Sequence, residues 1–447
     1  MKLFIILKDI TESGGGERVC VNLSNAFSEM GFEVSIISFF RVEKDIAFSL
    51  NENINVRFLS HTTPKSKNPL KKLFNKSIYR YILSKKVDKI AQQEKPDIIL
   101  ANDGWYIPKT KLDSIQYIRL WHLNAPKKID KRKQKIFNLF DTLVVLSSRE
   151  LNKWQSYHKN VKVIPNFLPN ISQKNTDSNQ HRIISVGRLS AEKGFLRLID
   201  IWEKVQERIK ATYSHTEQSE VSNTESKKDI LCLYTQDDKI TIQNDSHEKN
   251  LESKQTSAEA VCDDFKSCEA LSARSLLNIN DEARKANSLK RAETATHEKG
   301  LESWELVIVG DGAMKEQIQA KILEKNLQDT ITLKPFTKDI EKEYLNASIY
   351  AMSSHFEGFG MVLVEASSYA LPCIAFDIAA GPSDIIESSV SGYLIEDNDL
   401  QDYADRLIEL MSDKDKRESM GLQAKQRVKE KFSKEAIMPL WEEVFRA

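Results

Sequence analysis

The feature that most constrains this chain is a run of short, uniformly apolar segments separated by amphipathic stretches, and the run occurs twice. Residues 3–7 are five consecutive apolar residues. Without an inside/outside alternation such a segment reads as a strand buried on both faces, the mark of a parallel sheet. Ser13-Gly14-Gly15-Gly16 then opens a helix whose apolar positions Val19, Leu23, Phe27 and Met30 recur at helical spacing. Gly31 closes it, and residues 34–39 read as the next strand. Further apolar runs at 98–101, 116–120 and 143–146 extend this βαβ unit into a doubly wound sheet over 1–170.

The alternation restarts after Pro165-Asn166 and the polar stretch 170–180. A strand is expected at 182–186 and a helix at 195–209, but the next strand comes only at 304–309. Compact α/β units join such elements through a few residues. The Ser-, Thr-, Glu-, Lys-, Asn- and Gln-rich residues 211–300 therefore read as a disordered insertion with one transient hairpin at 230–242. Strands follow at 331–333, 349–352 and 373–376, with helices at 400–411 and 435–445. The expected architecture is α/β: two Rossmann-like doubly wound domains facing a cleft, the second interrupted by the polar insertion. They would comprise 1–170, and 181–210 with 301–430, followed by a C-terminal helix at 431–447. Ligands of such sheets bind at the carboxyl ends of the strands, so motifs there carry the most weight.

Charge and cysteine content narrow the function classes. Lys+Arg and Asp+Glu number 65 each, so the net charge of zero gives no bulk attraction to nucleic acid. The balance is uneven, with 30 Lys/Arg against 16 Asp/Glu in residues 1–175. The cysteines Cys20, Cys232, Cys262, Cys268 and Cys373 are scattered without a CxxC pair, which argues against a disulfide framework or a zinc site. The N-terminal apolar run breaks at Lys8 and Asp9, too early for a signal or membrane segment, so a cytoplasmic protein is expected.

The strongest motif runs from Glu357 to Glu365 after the strand at 349–352. Gly358 and Gly360 sit at the junction to a helix opening near Met361. The backbone N–H groups of Phe359, Gly360, Met361 and Val362 are then available to an anion at a helix N-terminus. Glu357 stays on the loop while Glu365 lies about one turn inside the helix. Carboxylates flanking a phosphate site are tolerated when they accept hydroxyl hydrogen bonds, which suits a ribose and a hexose. Gly187-Arg188 ends the strand at 182–186 and Lys193-Gly194 opens the next helix, so Arg188 and Lys193 can converge on one diphosphate. No DxD-like metal motif or Walker loop is evident, and these cations would stabilise the leaving group without metal or other cofactor. Gly310-Asp311-Gly312 starts like a dinucleotide fingerprint, but Lys315 stands where a third glycine is needed, which disfavours a dehydrogenase.

Together with Gly15-Gly16, His122 and Gly381-Pro382-Ser383-Asp384-Ile385-Ile386, these motifs resemble the family-4 retaining glycosyltransferases, over nearly the whole chain except 211–300. The resemblance implies the two-domain glycosyltransferase B-type fold and a metal-independent transfer from a nucleotide diphosphate sugar. Arg188 and Lys193 would bind the donor diphosphate, Glu365 the ribose, and Glu357 with the amides of Phe359 and Gly360 the transferred sugar. Gly15 and Gly16 would let the N-terminal loop approach the diphosphate. His122 would contact the sugar or the departing phosphate, and Pro335-Phe336-Thr337 would form the base pocket. The glycine-rich motifs are similar to those of the bacterial surface-glycan branch. That implies a UDP-sugar donor carrying a hexose or N-acetylhexosamine, and a glycan or lipid-linked acceptor of lipopolysaccharide or capsule type. A nucleotide-sugar epimerase or hydrolase on the same fold, and a non-catalytic nucleotide-sugar-binding partner, are the competing readings.

One segment stands outside these motifs. Residues 65–95 carry ten Lys/Arg and two Asp/Glu, with Leu70, Phe74, Ile78 and Tyr81 at helical spacing. Two readings are open: a basic surface helix resting on an anionic membrane, or a core-facing stripe with a solvated basic face. The first would make the protein peripheral on the inner face of the cytoplasmic membrane.

Overall fold

The computed structural model describes residues 1–61, 69–126, 128–212 and 300–446. The expected insertion and its hairpin, and the start of the basic segment, lie outside the described residues. The chain forms one compact unit from Met1–Val205 and Ser303–Ala447, and a second, Gln206–Glu302, of which only the ends are described.

Both sheets lie in the first unit. The N-terminal sheet has the strands β1 (Lys2–Leu7), β2 (Glu33–Phe40), β3 (Asn55–Ser60), β4 (Ile98–Ala101), β5 (Gln116–Trp121), β6 (Thr142–Val145) and β7 (Val161–Val163). They are all parallel, in the order β3-β2-β1-β4-β5-β6-β7. The C-terminal sheet contains β8 (Arg182–Val186), β9 (Glu305–Val309), β10 (Ile331–Lys334), β11 (Ile349–Met352), β12 (Cys373–Asp377) and β13 (Gly392–Glu396). It is also parallel, in the order β10-β9-β8-β11-β12-β13. The winding direction reverses between β1 and β4 in one sheet and between β8 and β11 in the other, so each has a topological switch point. The edge strands β3, β7 and β13 were not read from the sequence. β3 and β7 are only half-buried and lack the continuous apolar run that marks the central strands.

The pleat of β1 explains the packing. Leu3, Ile5 and Leu7 face the helix Gly15–Glu29 through Val19, Leu23 and Phe27, while Phe4 and Ile6 face the helix Pro69–Glu94 through Leu83, Val87 and Ala91. At about 1.5–3 kcal/mol for each large apolar side chain fully buried, five adjacent residues anchor both layers. The first apolar cluster continues through Ile164, Phe167 and Leu168 to Phe359, Leu363 and Val364 of the second sheet's side, so the two sheets share buried packing.

The C-terminal helix Lys434–Arg446 returns to the N-terminal sheet's layer. Trp441 and Phe445 stack on Phe27 with ring centroids 5.8 and 5.1 Å apart, Gln116 Nε2 donates to the Val444 carbonyl at 2.8 Å, and Lys434 pairs with Glu29 at 2.7 Å. The basic helix buries other residues than the described part of the stripe read from the sequence. Leu83, Val87 and Ala91 form its buried face, whereas Ile78, Tyr81 and Ile82 are exposed, and the side chains of Leu70 and Phe74 lie outside the described residues.

Candidate functional site

The site forms where the two switch points meet. On the C-terminal side, β8 ends at Val186 and the chain turns through Gly187-Arg188 to a single 3-10 turn, Ala191–Lys193. Gly194 follows at φ +65, and a Cβ there would strike the Ser353 carbonyl, so this loop lies directly against the end of β11. Arg197, buried in the helix that follows, fixes that strand end. Its Nε donates to the Ser353 carbonyl at 2.6 Å and its Nη2 to the Ser354 carbonyl at 2.5 Å. Its Nη1 reaches Asp397 at 2.8 Å, and its guanidinium lies 4.0 Å from the Phe376 ring centroid.

The loop so fixed presents Glu357, which is 7% exposed. One of its carboxylate oxygens accepts from Lys193 Nζ and from Ser354 Oγ, both at 2.6 Å. The pairing ties this loop to the turn that carries Lys193. Arg188 lies elsewhere: its side chain is 74% exposed and donates to Glu192 at 3.1 Å. The two cations therefore sit at different depths, Lys193 inside and Arg188 at the rim.

Gly360 adopts φ +90 and precedes the helix Met361–Ser368, whose first N–H groups point out of its N-terminus. Phe359 is buried against Phe432, so its backbone rather than its ring is on offer to a ligand. Glu365, 9% exposed, accepts from Arg18 Nη1 at 2.6 Å and from the Tyr344 hydroxyl at 3.3 Å. Burial holds its carboxyl above the usual range, and the Arg18 charge only partly offsets this. Asp311 accepts from Phe336 N at 2.8 Å and pairs with Lys315 at 3.2 Å, so the Gly310-Asp311-Gly312 turn orders the 335–337 loop.

The N-terminal sheet supplies the opposite wall. Gly15 and Gly16 form the first turn of the helix Gly15–Glu29 after β1, and a Cβ on either would meet no protein atom within 4 Å. The protein's own packing does not demand glycine there, and the space in front of this turn is open. Asn102, buried at the end of β4, donates from Nδ2 to the Gly16 carbonyl at 2.9 Å, while its Oδ1 faces His122 Nε2 at 3.3 Å. With the amide oriented by Gly16, the imidazole carries its proton on Nε2 and donates to Asn102. Burial pushes the His122 pKa down to about 4, so the ring is neutral at physiological pH. The His122 carbonyl lies against Gly358, where any Cβ would collide with it. That contact brings the histidine loop and the Glu357 loop together.

The structure thus gathers Gly15, Gly16, His122, Lys193, Glu357, Phe359, Gly360, Met361, Val362 and Glu365 around one cleft, with Arg188 on its rim. Sequence reading missed Arg18, Asn102, Arg197, Tyr344 and Ser354. Arg18 lies two residues past Gly16, but a pairing with Glu365 across 347 residues leaves no local signal. Gly381-Pro382-Ser383-Asp384 was read only as a branch marker. In the structure its Asp384 accepts from Ser148 Oγ at 2.9 Å, and Arg149 engages Ser383 and Asp377, so the motif clasps the N-terminal sheet's loop after β6.

Comparison with known proteins adds to this geometry. Residues 13–169 match the family model "Glycosyltransferase Family 4", and residues 284–427 match "Glycosyl transferases group 1". The chain is 24% identical to the amylovoran biosynthesis glycosyltransferase AmsD of Erwinia amylovora over 455 residues, covering 99% of each chain. It is 38% identical to the lipopolysaccharide 1,6-galactosyltransferase of Escherichia coli over 106 residues, which is 22% of this chain and 28% of that protein. Among solved structures it superposes on Staphylococcus aureus TarM bound to Fondaparinux, alpha-GlcNAc-glycerol and UDP, with TM-score 0.63, 15% identity and all of both chains covered. The lipopolysaccharide outer core galactosyltransferase WaaB in its apo form gives TM-score 0.59 at 16% identity, over 99% of this chain and 98% of that one.

Proposed function

We propose that the chain is a glycosyltransferase of the family-4 type with the glycosyltransferase B fold, and that it transfers a hexose or N-acetylhexosamine from a UDP-sugar to a bacterial surface glycan, with retention of configuration and without metal. The observation that carries this reading is the pairing of half-buried Lys193 with buried Glu357 on the N-terminal side of the helix Met361–Ser368, next to Gly358, against which the His122 carbonyl lies. Lys193 and Arg188 hold the donor diphosphate, Lys193 from within and Arg188 by closing over it from the rim. The helix N-terminus at Gly360, Met361 and Val362 adds dipole stabilisation to the same group. Glu365 accepts the ribose hydroxyls, displacing or sharing Arg18. Glu357 accepts hydroxyls of the sugar being moved. The open space before Gly15 and Gly16 receives the diphosphate from the N-terminal side.

In the transfer the bond from the sugar's C1 to the diphosphate oxygen breaks, and the acceptor hydroxyl oxygen bonds to C1. The hydroxyl proton passes to the departing diphosphate. Negative charge grows on that leaving group, which is where fixed cations and amides act most strongly. His122, neutral and bound through Nε2 to Asn102, orients the sugar or phosphate by hydrogen bonding rather than as a charged acid. AmsD and the E. coli galactosyltransferase, by their names, act in amylovoran biosynthesis and on lipopolysaccharide, which supports a surface-glycan acceptor. The exposed Ile78, Tyr81 and Ile82 beside Lys76, Lys85 and Lys86 further support contact with an anionic membrane that carries it. No helix among the described residues is long and apolar enough to cross a membrane.

The test is a thermal-shift panel of nucleotide sugars. A cognate donor at a hundred times its Kd adds about 2.7 kcal/mol of stability. UDP-sugars are expected to raise Tm and GDP-sugars to leave it unmoved; a flat response to every nucleotide sugar would sink the donor assignment. Release of free sugar in the presence of acceptor lipid, with no glycan product, would favour a hydrolase. Activity that survives EDTA is expected, and complete loss would overturn the metal-free mechanism.

A further inference from the structure

The donor side of the cleft has its charges paired; the N-terminal sheet contains one conspicuous exception. Arg119, in the middle of β5, is 4% exposed, and its Nε and Nη1 are buried with no hydrogen-bond partner. A buried guanidinium without an acceptor is expensive, and such a group usually awaits one. Its guanidinium carbon lies 5.3 Å from the Trp121 ring centroid, 5.7 Å from Phe137 and 5.2 Å from Phe140, so aromatic faces hold it but satisfy none of its N–H groups. Its Nη2 reaches the loop after β4, where a Cβ on Gly104 would sit 3.2 Å away.

Arg80 lies close enough to repel it, and Lys109 and Arg132 in turn lie close to Arg80. Arg80 and Lys109 are both held below their ordinary ranges, first by burial and then by neighbouring positive charge: that of Arg132 on Arg80, and that of Arg80 on Lys109. Burial likewise pushes Arg119 down to about 10, with Arg80 adding to the effect and Asp103 opposing it. No ion pair within the described residues joins Arg80, Lys109, Arg119 or Arg132 to a carboxylate. The nearby acids are already engaged. Asp103 accepts from the backbone N–H of Lys8 at 2.5 Å and of Trp105 at 2.7 Å. Asp88 accepts from the Tyr106 hydroxyl at 2.9 Å and from Lys109 N and Thr110 N at 2.8 and 2.9 Å. Trp105, half-buried beside Asp103 with Lys76 Nζ 5.2 Å from its ring centroid, offers a flat face of the kind that packs on a sugar ring.

The location ties this cluster to the reaction. Asp103 follows Asn102, the residue that joins Gly16 to His122, and Arg119 lies three residues before His122 on the same chain segment. We infer that Arg119, with Arg80, Lys109 and Arg132, forms a subsite for an acidic group, phosphate or carboxylate, on the acceptor glycan. Its unpartnered Nε and Nη1 lie on two edges of the guanidinium, each with an N–H to offer to an oxygen of such a group. This deepens the transferase reading and rests on it: the acceptor is an acidic, not a neutral, glycan.

The probes are glycerol 3-phosphate and glucuronate, titrated calorimetrically into the full chain, Arg119→Gln, the double variant Arg80→Gln/Arg132→Gln, and Lys193→Gln. The wild-type chain is expected to bind at least one probe, and both cluster variants to weaken it by about tenfold or more, as loss of a charged hydrogen bond does. Lys193→Gln should keep that binding event. Binding of glycerol 3-phosphate alone assigns a phosphate, and of glucuronate alone a carboxylate. Arg119→Gln disturbs an aromatic box, so its melting curve is taken first; if it unfolds early, the double variant at accessible positions decides. No binding of either probe at tens of millimolar, or weakening in Lys193→Gln with none in the cluster variants, would overturn the subsite. The second outcome would leave the donor reading standing, whereas a flat nucleotide-sugar panel with cluster-dependent binding intact would do the reverse.

Discussion

The two sheets have the same winding and opposite electrostatic character. On the C-terminal sheet the chemistry-bearing groups are paired: Lys193 with Glu357, Arg188 with Glu192, and Arg197 with the carbonyls that hold the 353–357 loop. On the N-terminal sheet Arg119 is buried without a partner, and the turn at Gly15 and Gly16 faces open space. One side is arranged before a ligand arrives, and the other is completed by it. A nucleotide donor is the same in every turnover and rewards a fixed site, whereas acceptor recognition is where members of a family diverge.

The largest way to break this contrast is Lys193→Gln. It keeps a hydrogen bond for Glu357 but removes the inner cation, and turnover is expected to fall by about a hundred- to a thousandfold. Wild-type turnover in a folded variant would remove Lys193 from the mechanism. The next concerns His122. Its proton affinity is low in the fold, about 4 against an ordinary 6.5, so the unfolded chain binds the extra proton first as the medium acidifies. Its contribution to stability is fully present above pH 6.5 and is lost as pH falls toward 4, by about 3 kcal/mol at about 1.36 kcal/mol per pKa unit. His122→Gln should flatten that part of the stability curve in denaturant titrations between pH 7 and 4; an unchanged slope would mean the ring is not neutral in the fold.

A smaller effect is expected from Gly358→Ala, which forces a Cβ against the His122 carbonyl where the two walls meet. Overpacking of this kind costs about 1–3 kcal/mol, read as a fall in Tm together with lost activity. Retained activity at unchanged Tm would show that the walls can separate freely. Smallest is Arg149→Ala. Its pairing with Asp377 is partly exposed and screened, so about 1 kcal/mol or less is expected. A larger loss in chemical denaturation would show that the clasp is cooperative with the shared core.

The parts of this architecture legible in the sequence were those with a local signature. β1, β4, β8 and β11 are short apolar runs, and the glycines at 15, 16, 358 and 360 punctuate strand-to-helix turns, so the fold and the turns that carry the candidate site residues could be placed in advance. Arg18, Asn102, Arg119 and Arg197 could not. Each acts through partners far along the chain, and an arginine in an apolar strand such as β5 gives no sign of whether its charge will be matched. Which face of the basic helix would be buried was equally illegible. A helix of mixed composition can turn several faces inward, and packing chose Leu83, Val87 and Ala91 over Ile78 and Tyr81.

The return of Lys434–Arg446 to the N-terminal layer fixes an order of events during synthesis. Phe27 is made early, but the rings that pack on it, Trp441 and Phe445, are made only after the whole of the second sheet. Translation at about 5–20 residues per second leaves that aromatic surface uncovered for tens of seconds while everything between is made. The nascent N-terminal half therefore carries this aromatic surface uncovered until the helix Lys434–Arg446 has been made and has cleared the ribosome.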